Sequence, residues 1–148
     1  MRIVVGGDHS GFEMKQQVVK YLRETGHEVE DVGTFTPDLV DFPDIAKAVC
    51  TKLRPSEGER GILVCGSGVG AVMAANKIRG IRAAVCHDVY SAHQSVEHDD
   101  ANVMCVGAQI VGWWLLKDLI EAFLNAKFDR NEIFLRRVEK MDRLEEGL

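Results

Sequence analysis

The chain has 148 residues, of which 46% are hydrophobic and 28% are charged, and its formal net charge is −5 at pH 7. This length and composition are typical of one soluble globular domain. The acidic balance argues against a general nucleic-acid binder, because such a protein needs a basic face to displace phosphate counterions. We expect a cytoplasmic protein with no membrane partner, because the sequence shows neither a secretion signal nor an apolar run long enough to span a bilayer.

Short apolar runs alternate with helical patterns along the whole chain. After the first run, Ser10 and Glu13 have the spacing of a helix capping box, and Gly26 is a suitable stop for the helix that follows. The predicted strands are 2–5, 27–33, 61–65, 82–86 and 102–107. The predicted helices run from the Ser10 cap to Gly26, from Pro43 to about Leu53, from the glycine turn after Cys65 to about Ile78, from about Tyr90, over 111–124, and from about Asn131.

This alternation, with short connections, predicts a parallel sheet that is covered on both faces. We therefore expect residues 1–148 to form a single α/β domain, a doubly wound, Rossmann-like fold with a five-stranded parallel sheet and helices on both faces. Ligands of such folds bind at the carboxyl ends of the strands. The paired tryptophans at 113–114 lie on an almost wholly apolar helix, which predicts burial either in the core or between subunits.

Polar and nucleophilic residues gather at the carboxyl ends of the predicted strands. Three of the predicted strands end at or just before such residues, which are Asp8-His9-Ser10, Cys65-Gly66-Ser67-Gly68 and Cys86-His87-Asp88. Glycine, aspartate and serine are also ordinary turn residues, so any one of these turns has a purely structural interpretation. The turn with Asp8 and His9 and the turn with Cys65, taken together, favour a functional site. His87 has no assigned role on these grounds.

The stretch GILVCGSGVGAVMAANK (61–77) resembles several motifs at once. The Gly6–Gly11 turn, which has the glycine spacing of a phosphate-binding Walker loop, lacks the following Lys and hydroxyl residue, and a cysteine-phosphatase loop needs an arginine where this chain has Ala71. A dinucleotide fingerprint does fit Gly66-x-Gly68-x-x-Ala71, although it lies on the third strand of the chain.

Cys65 stands at the entrance of this glycine-rich turn. Converging backbone N–H groups and the start of a helix would favour its thiolate form and hold an oxyanion beside it, an arrangement suited to proton abstraction next to a carbonyl. A buried thiol that only packs is the alternative. Cys50, Cys86 and Cys105 lie within apolar runs and are interpreted as such packing residues. The sequence contains no Cys-x-x-Cys pair, so it indicates neither a zinc site nor a disulfide scaffold.

Long blocks of the chain resemble the ribose-5-phosphate isomerase B and galactose-6-phosphate isomerase family of sugar-phosphate isomerases. The blocks are GGDHSGFEMK (6–15), DVGTFTPDLVDFPDIA (31–46), GILVCGSGVGAVMAANKIRGIRAAVCHDVYSA (61–92), EHDDANVMCVG (97–107) and RRVEKM (136–141). They follow the order and spacing of the family over nearly the whole chain. The resemblance implies an aldose–ketose isomerase that needs no metal or organic cofactor.

The resemblance also implies roles for individual residues. Cys65 would be the base that moves a proton between C1 and C2 through a cis-enediolate, and His98 would open the sugar ring. The amides near Gly66, Gly68 and Gly70, with the Ser67 hydroxyl, would stabilise the oxyanion. Asp8 would bind substrate hydroxyls or assist ring opening, and Asp99 would bind substrate. His9 and Arg137 or Arg136 would bind the phosphate. The family's site forms at a dimer interface, so we expect a homodimer, with pairing into a tetramer left open.

Four positions depart from the family pattern, and all of them bear on substrate binding. Phe42 stands where the family usually has tyrosine, Asp99 where it has asparagine, and Gln109 where an arginine is common. The arginine usually paired with Arg137 or Arg136 is replaced by Glu132 or Ile133. We expect ribose 5-phosphate as substrate, with another pentose, hexose or tetrose, phosphorylated or not, as the alternative.

Two other classes of function remain open from the residues alone. A cysteine phosphocarrier would form a phosphocysteine at Cys65 and would not need His98. A nucleotide-binding regulatory module would bind NAD or ATP at the 66–71 loop.

Overall fold

The computed structural model describes residues 1–147 and contains a five-stranded, all-parallel sheet, as the alternating pattern predicts. The strands are β1 (Arg2–Gly7), β2 (Glu28–Asp31), β3 (Arg60–Cys65), β4 (Ala83–Val85) and β5 (Val103–Gly107). The α-helices are α1 (Phe12–Glu24), α2 (Phe42–Cys50), α3 (Val69–Ala75), α4 (Val89–Asp99), α5 (Trp113–Asn125) and α6 (Glu132–Leu144). The strand order across the sheet is β2-β1-β3-β5-β4.

Both faces of the sheet are covered, because successive strand side chains point to opposite sides. One face of β3 presents Ile62 and Val64 to a core that also contains α1, α4 and α5. The other face presents Leu63 and Cys65 to a core built with α2 and α3. The fully buried strands explain why their sequences read as continuous apolar runs. Cys65 thus belongs to the α2 and α3 side of the sheet.

The predicted capping box at the start of α1 is wrong. The helix begins at Phe12 with Gly11 as its N-cap residue, and no side chain caps it. The Asp8 carboxylate instead accepts hydrogen bonds from the backbone N–H groups of Ser10 (2.9 Å) and Gly11 (3.1 Å). These bonds extend the turn after β1 by one residue, so Glu13 occupies the second helical position rather than the third, which the box requires.

The C-terminal helix α6 starts where its polar signal predicts. The Asn131 side chain accepts hydrogen bonds from the N–H groups of Ile133 (3.0 Å) and Phe134 (3.1 Å), which are orphan donors of the first turn. Helix α6 then packs against α4, where the rings of Phe134 and His98 stack with centroids 4.2 Å apart.

The two tryptophans of α5 have different environments. Trp113 is half-buried and meets the Tyr21 ring edge-to-face at 5.7 Å, whereas Trp114 is 78% exposed. Of the two alternatives, core burial is wrong for Trp114, because its position on α5 turns away from the sheet, and burial between subunits stays a prediction. Within residues 1–147, no helix combines the length and apolar character that crossing a membrane requires.

A buried ion pair fixes the loop that follows β2 beside the end of β1. The Lys15 side chain is 1% exposed, and its Nζ donates to both carboxylate oxygens of Asp31 at 2.7 Å. Asp31 in turn accepts a hydrogen bond from Gly33 N at 3.0 Å. Removing one partner would leave the other charge poorly compensated in the interior.

We expect Lys15→Met to lower the free energy of unfolding by about 3 kcal/mol, because it leaves Asp31 without its counter-ion. Urea denaturation at one fixed protein concentration measures this loss. The matched control is Lys20→Met on the exposed face of the same helix, where Lys20 faces Glu24 at 3.8 Å in solvent. We expect that control to change stability by less than about 0.5 kcal/mol. Equal losses for the two variants would show that the buried pair contributes nothing specific.

Candidate active site

The carboxyl ends of β1 and β3 lie side by side at the point where the strand order reverses. The chain passes from β1 outward to β2 and then returns to place β3 on the other side of β1. The N–H of Asp8 donates to the Val64 carbonyl at 3.2 Å, which ties the two strand ends together. Open α/β sheets bind their ligands in the crevice at such a point.

Asp8 and His9 line this crevice from the β1 side. Asp8 is only 7% exposed and its Oδ1 holds the following turn, as described above. The half-buried His9 ring is fixed by Val40, whose carbonyl lies 3.2 Å and whose backbone nitrogen lies 3.3 Å from Nδ1. The structure therefore brings two of the predicted substrate-binding residues next to the strand that ends in Cys65.

The Cys65 thiol lies under the glycine-rich loop. Its side chain is 6% exposed, and the N–H of Gly68 points at Sγ from 3.0 Å. A backbone donor at this distance stabilises a sulfur that carries negative charge. Gly68 has φ +80°, which is a left-handed conformation that glycine adopts without strain. This conformation lets the chain enter α3 directly from the loop, with Gly68 as the N-cap residue of that helix.

The other three cysteines lie in apolar surroundings that disfavour ionisation. Burial raises the pKa of the Cys50 and Cys86 thiols to about 11. Burial also raises the pKa of Cys105 well above its ordinary value. These residues therefore remain thiols near neutral pH, in agreement with their interpretation as packing residues.

Two of the departures from the family pattern contact the glycine-rich loop. A Cβ on Gly66 would lie 3.3 Å from Oε1 of Gln109, and a Cβ on Gly70 would lie 2.8 Å from Cζ of Phe42. The Gln109 amide thus lies against the start of the loop, and the Phe42 ring lies against the first turn of α3. Both side chains are exposed beside the loop.

The Ser67 side chain is at the outer tip of the same loop. Ser67 is exposed, and its Oγ accepts a hydrogen bond from Val69 N at 3.3 Å. The hydroxyl hydrogen remains available to a ligand, because this bond uses only an acceptor lone pair.

The structure does not bring His98 and Asp99 to Cys65 within one chain. Helix α4 starts at the carboxyl end of β4 and returns to the amino end of β5, so its last residues lie at the opposite edge of the sheet. Eleven residues of α-helix separate the two edges by roughly 16 Å of helical rise. There the amide Nε2 of Gln94 donates a hydrogen bond to Nδ1 of the half-buried His98 ring at 2.8 Å.

Arg136 and Arg137 lie near His98 rather than near Cys65. Both are exposed on α6, and neither forms an ion pair with another residue in the 1–147 range. Phe134, which stacks on His98, is three residues before Arg137, so these two share a helical face. The predicted site residues therefore form two separate groups at opposite edges of the sheet.

His87 is a functional candidate to which sequence reasoning assigned no role. Its Nε2 accepts a hydrogen bond from the N–H of Gly107 at 2.9 Å, directly beside the glycine-rich loop. The available signal was its position, since a polar residue at the carboxyl end of a strand borders the ligand crevice. Among residues 1–147 no three His, Cys, Asp or Glu side chains come close enough together to hold a metal ion.

Known proteins resemble this chain over most of its length. The family model described as Ribose/Galactose Isomerase matches residues 3–141. Ribose-5-phosphate isomerase B of Escherichia coli (strain K12) is 41% identical over 145 residues, which cover 98% of this chain and 97% of the relative. D-erythrulose-4-phosphate isomerase 2 of Mycolicibacterium smegmatis (strain ATCC 700084 / mc(2)155) is 40% identical over 132 residues, 87% of each chain.

A solved structure is similar to this chain over the whole fold. Ribose-5-phosphate isomerase B of Clostridium thermocellum superposes with a TM-score of 0.94 at 39% identity and covers 99% of this chain and 98% of its own. The chain therefore belongs to the ribose/galactose isomerase family of sugar-phosphate isomerases, which are aldose–ketose isomerases.

Proposed function

We propose that this enzyme interconverts ribose 5-phosphate and ribulose 5-phosphate, with Cys65 as the base. The observation that carries the proposal is the contact between Cys65 Sγ and the Gly68 N–H at 3.0 Å, in a crevice flanked by Asp8 and His9. A cysteine sulfur that faces a backbone donor at a ligand-binding strand end is placed to remove, in its thiolate form, a proton from the carbon next to a carbonyl.

The reaction moves one carbon-bound proton between neighbouring carbons. In the aldose-to-ketose direction, Cys65 takes the proton from C2 while the C1 carbonyl oxygen becomes the enediolate oxyanion. The hydroxyl proton on O2 then moves to O1 as the C2 carbonyl forms, and protonated Cys65 delivers a proton to C1, in part after exchange with solvent. Because the Gly68 N–H already faces the sulfur, the oxyanion role falls to the other N–H groups of the loop, near Gly66 and Gly70, and to the Ser67 hydroxyl.

The complete site is proposed to require two copies of the chain. Cys65, Asp8 and His9 form one half at the carboxyl edge of the sheet, and His98 and Arg137 belong to the half at the amino edge. A two-fold dimer brings the first half of one protomer against the second half of its partner, twice, because the same pair of surfaces meets in both directions. His98 of the partner subunit would then open the sugar ring before Cys65 acts.

The phosphate group is proposed to bind to side chains from both halves of the site. His9 and the partner's Arg137 are the candidates for this contact, and the shared face of Arg137 and Phe134 favours Arg137 over Arg136. Gln109 lies against Gly66 at the entrance, where an amide offers no charge to a phosphate. Asp99, next to His98, is proposed to bind substrate hydroxyls rather than phosphate.

A panel of sugars tests the substrate. We expect ribose 5-phosphate to be converted with a kcat/KM at least about tenfold above those of a tetrose 4-phosphate, a hexose 6-phosphate and free ribose. Purified Cys65→Ala enzyme, assayed in parallel, removes any contribution from contaminating isomerases. A preference for another sugar would replace the substrate but keep the chemistry, whereas no aldose–ketose conversion of any sugar would contradict the proposed function.

A further inference from the structure

The Gly107 peptide forms the floor of the glycine-rich loop. Gly107 pairs with Cys65 in the register of β3 and β5. A Cβ on Gly107 would lie 2.7 Å from the carbonyl carbon of Ser67 and 2.8 Å from the carbonyl oxygen of Gly66. A Cβ on Gly68 would in turn lie 3.3 Å from Gly107 N. The loop that faces Cys65 therefore rests directly on the backbone at the end of β5.

The N–H of Gly107 has no backbone acceptor on the neighbouring strand β4. Strand β4 pairs with β5 through Val85, and the last backbone bond between their ends runs from Cys86 N to Cys105 O at 3.0 Å. The chain then turns away into α4, whose first turn Asp88 caps by accepting from Ser91 N at 2.7 Å. The buried N–H of Gly107 is thus left beyond the end of the ladder, where a partner is required.

The His87 ring supplies that partner. Its Nε2 accepts the Gly107 N–H at 2.9 Å, so the ring replaces the backbone acceptor that β4 no longer provides. This bond requires an unprotonated Nε2, with the ring proton on Nδ1. His87 contacts neither Cys65 nor the crevice itself through a hydrogen bond among the described residues, and it acts only through the Gly107 peptide.

We propose that His87 is a positioning residue for the base: by fixing the Gly107 peptide, it holds the glycine-rich loop so that the Gly68 N–H points at Cys65 Sγ. This inference rests on the proposed role of Cys65. It assigns His87 an effect on the reactivity of Cys65 rather than on the binding of the sugar.

Three substitutions at His87 separate this role from a general structural one. Glutamine can place its amide oxygen where Nε2 lies, asparagine has the same amide but is one atom too short, and leucine has no acceptor. We expect His87→Leu and His87→Asn to lower kcat about tenfold with KM within about twofold, and His87→Gln to retain kcat within about threefold. The alkylation rate of Cys65 by iodoacetamide at neutral pH, followed by peptide mass spectrometry, should fall and recover in the same order.

Matched controls make each outcome decisive. His93→Leu removes an exposed histidine of α4 that faces Glu97 at 3.1 Å, and it should leave both readouts unchanged. If the leucine variant does not fold, the comparison of asparagine with glutamine still decides. Equal behaviour of the asparagine and glutamine variants, or wild-type alkylation of Cys65 in all folded variants, would overturn the proposal. Failure of the proposed function is distinct, since it would appear as a wild-type enzyme that converts no sugar or as an active Cys65→Ala enzyme.

Discussion

Cys65→Ala is expected to abolish the exchange of the substrate's C1/C2 proton with solvent while the fold remains intact. Without the sulfur, no group at the glycine-rich loop has the position and basicity to take the carbon-bound proton. Loss of a general base lowers such rates by about 10²–10⁴-fold, and we expect the upper part of this range. The measurement is the incorporation of deuterium into ribulose 5-phosphate in D2O, followed by NMR.

Cys50→Ala is the matched control for this variant. Cys50 is 4% exposed, belongs to the same α2 and α3 core as Cys65, and loses the same sulfur atom on substitution. Both variants create a similar small cavity, so they should lose similar stability, but only Cys65→Ala should lose exchange. Undiminished exchange in folded Cys65→Ala enzyme would remove Cys65 as the base, and equal losses in the two variants would trace the effect to packing.

The architecture follows from local signals that the sequence carries clearly. The strands at 61–65 and 102–107 are continuous apolar runs because they are buried on both faces, and the observed β3 and β5 agree with them to within one residue. No local sequence signal predicts the order of the strands across the sheet. That order depends on which side of β1 each crossover places its strand, and both sides are compatible with the same alternating pattern.

The start of α1 shows how a local motif is overridden. Ser10 and Glu13 have the capping-box spacing, but the Asp8 carboxylate already binds the Ser10 N–H, which the Glu13 side chain would bind in the box. Asp8 also binds the Gly11 N–H, and the two bonds hold the chain in a tight turn. An aspartate two residues before a potential cap favours such a turn, because its side chain reaches the backbone N–H two residues on.

Some residues of the site can be recognised from the local sequence and others cannot. Cys65 and the glycine turn stand out from the local pattern, because a strand end, a thiol and a flexible loop coincide there. The surroundings of His98 cannot be recognised in the local sequence pattern, since the Phe134 ring that stacks on His98 comes from a different helix. Resemblance to the family supplied the role of His98, and the topology supplies the reason that it cannot reach Cys65 of its own chain.

The proposed division of the site between two chains makes a large and specific prediction. Cys65→Ala and His98→Ala should each inactivate the enzyme toward the cyclic aldose, because every site of either homodimer lacks one of the two groups. A mixed dimer of the two variants is different. One of its sites combines both substitutions, whereas the other combines intact Cys65 with intact His98.

The measurement that tests the two-chain site most directly is the activity of this mixed dimer. The two variants are co-expressed with different affinity tags and purified through both tags in succession. We expect about half of the wild-type activity toward ribose 5-phosphate, because one of the two sites is complete. Doubly tagged Cys65→Ala chains serve as the control and should be inactive. Mixed assemblies as inactive as either parent, or doubly tagged wild-type chains that do not assemble at all, would contradict a site shared between subunits.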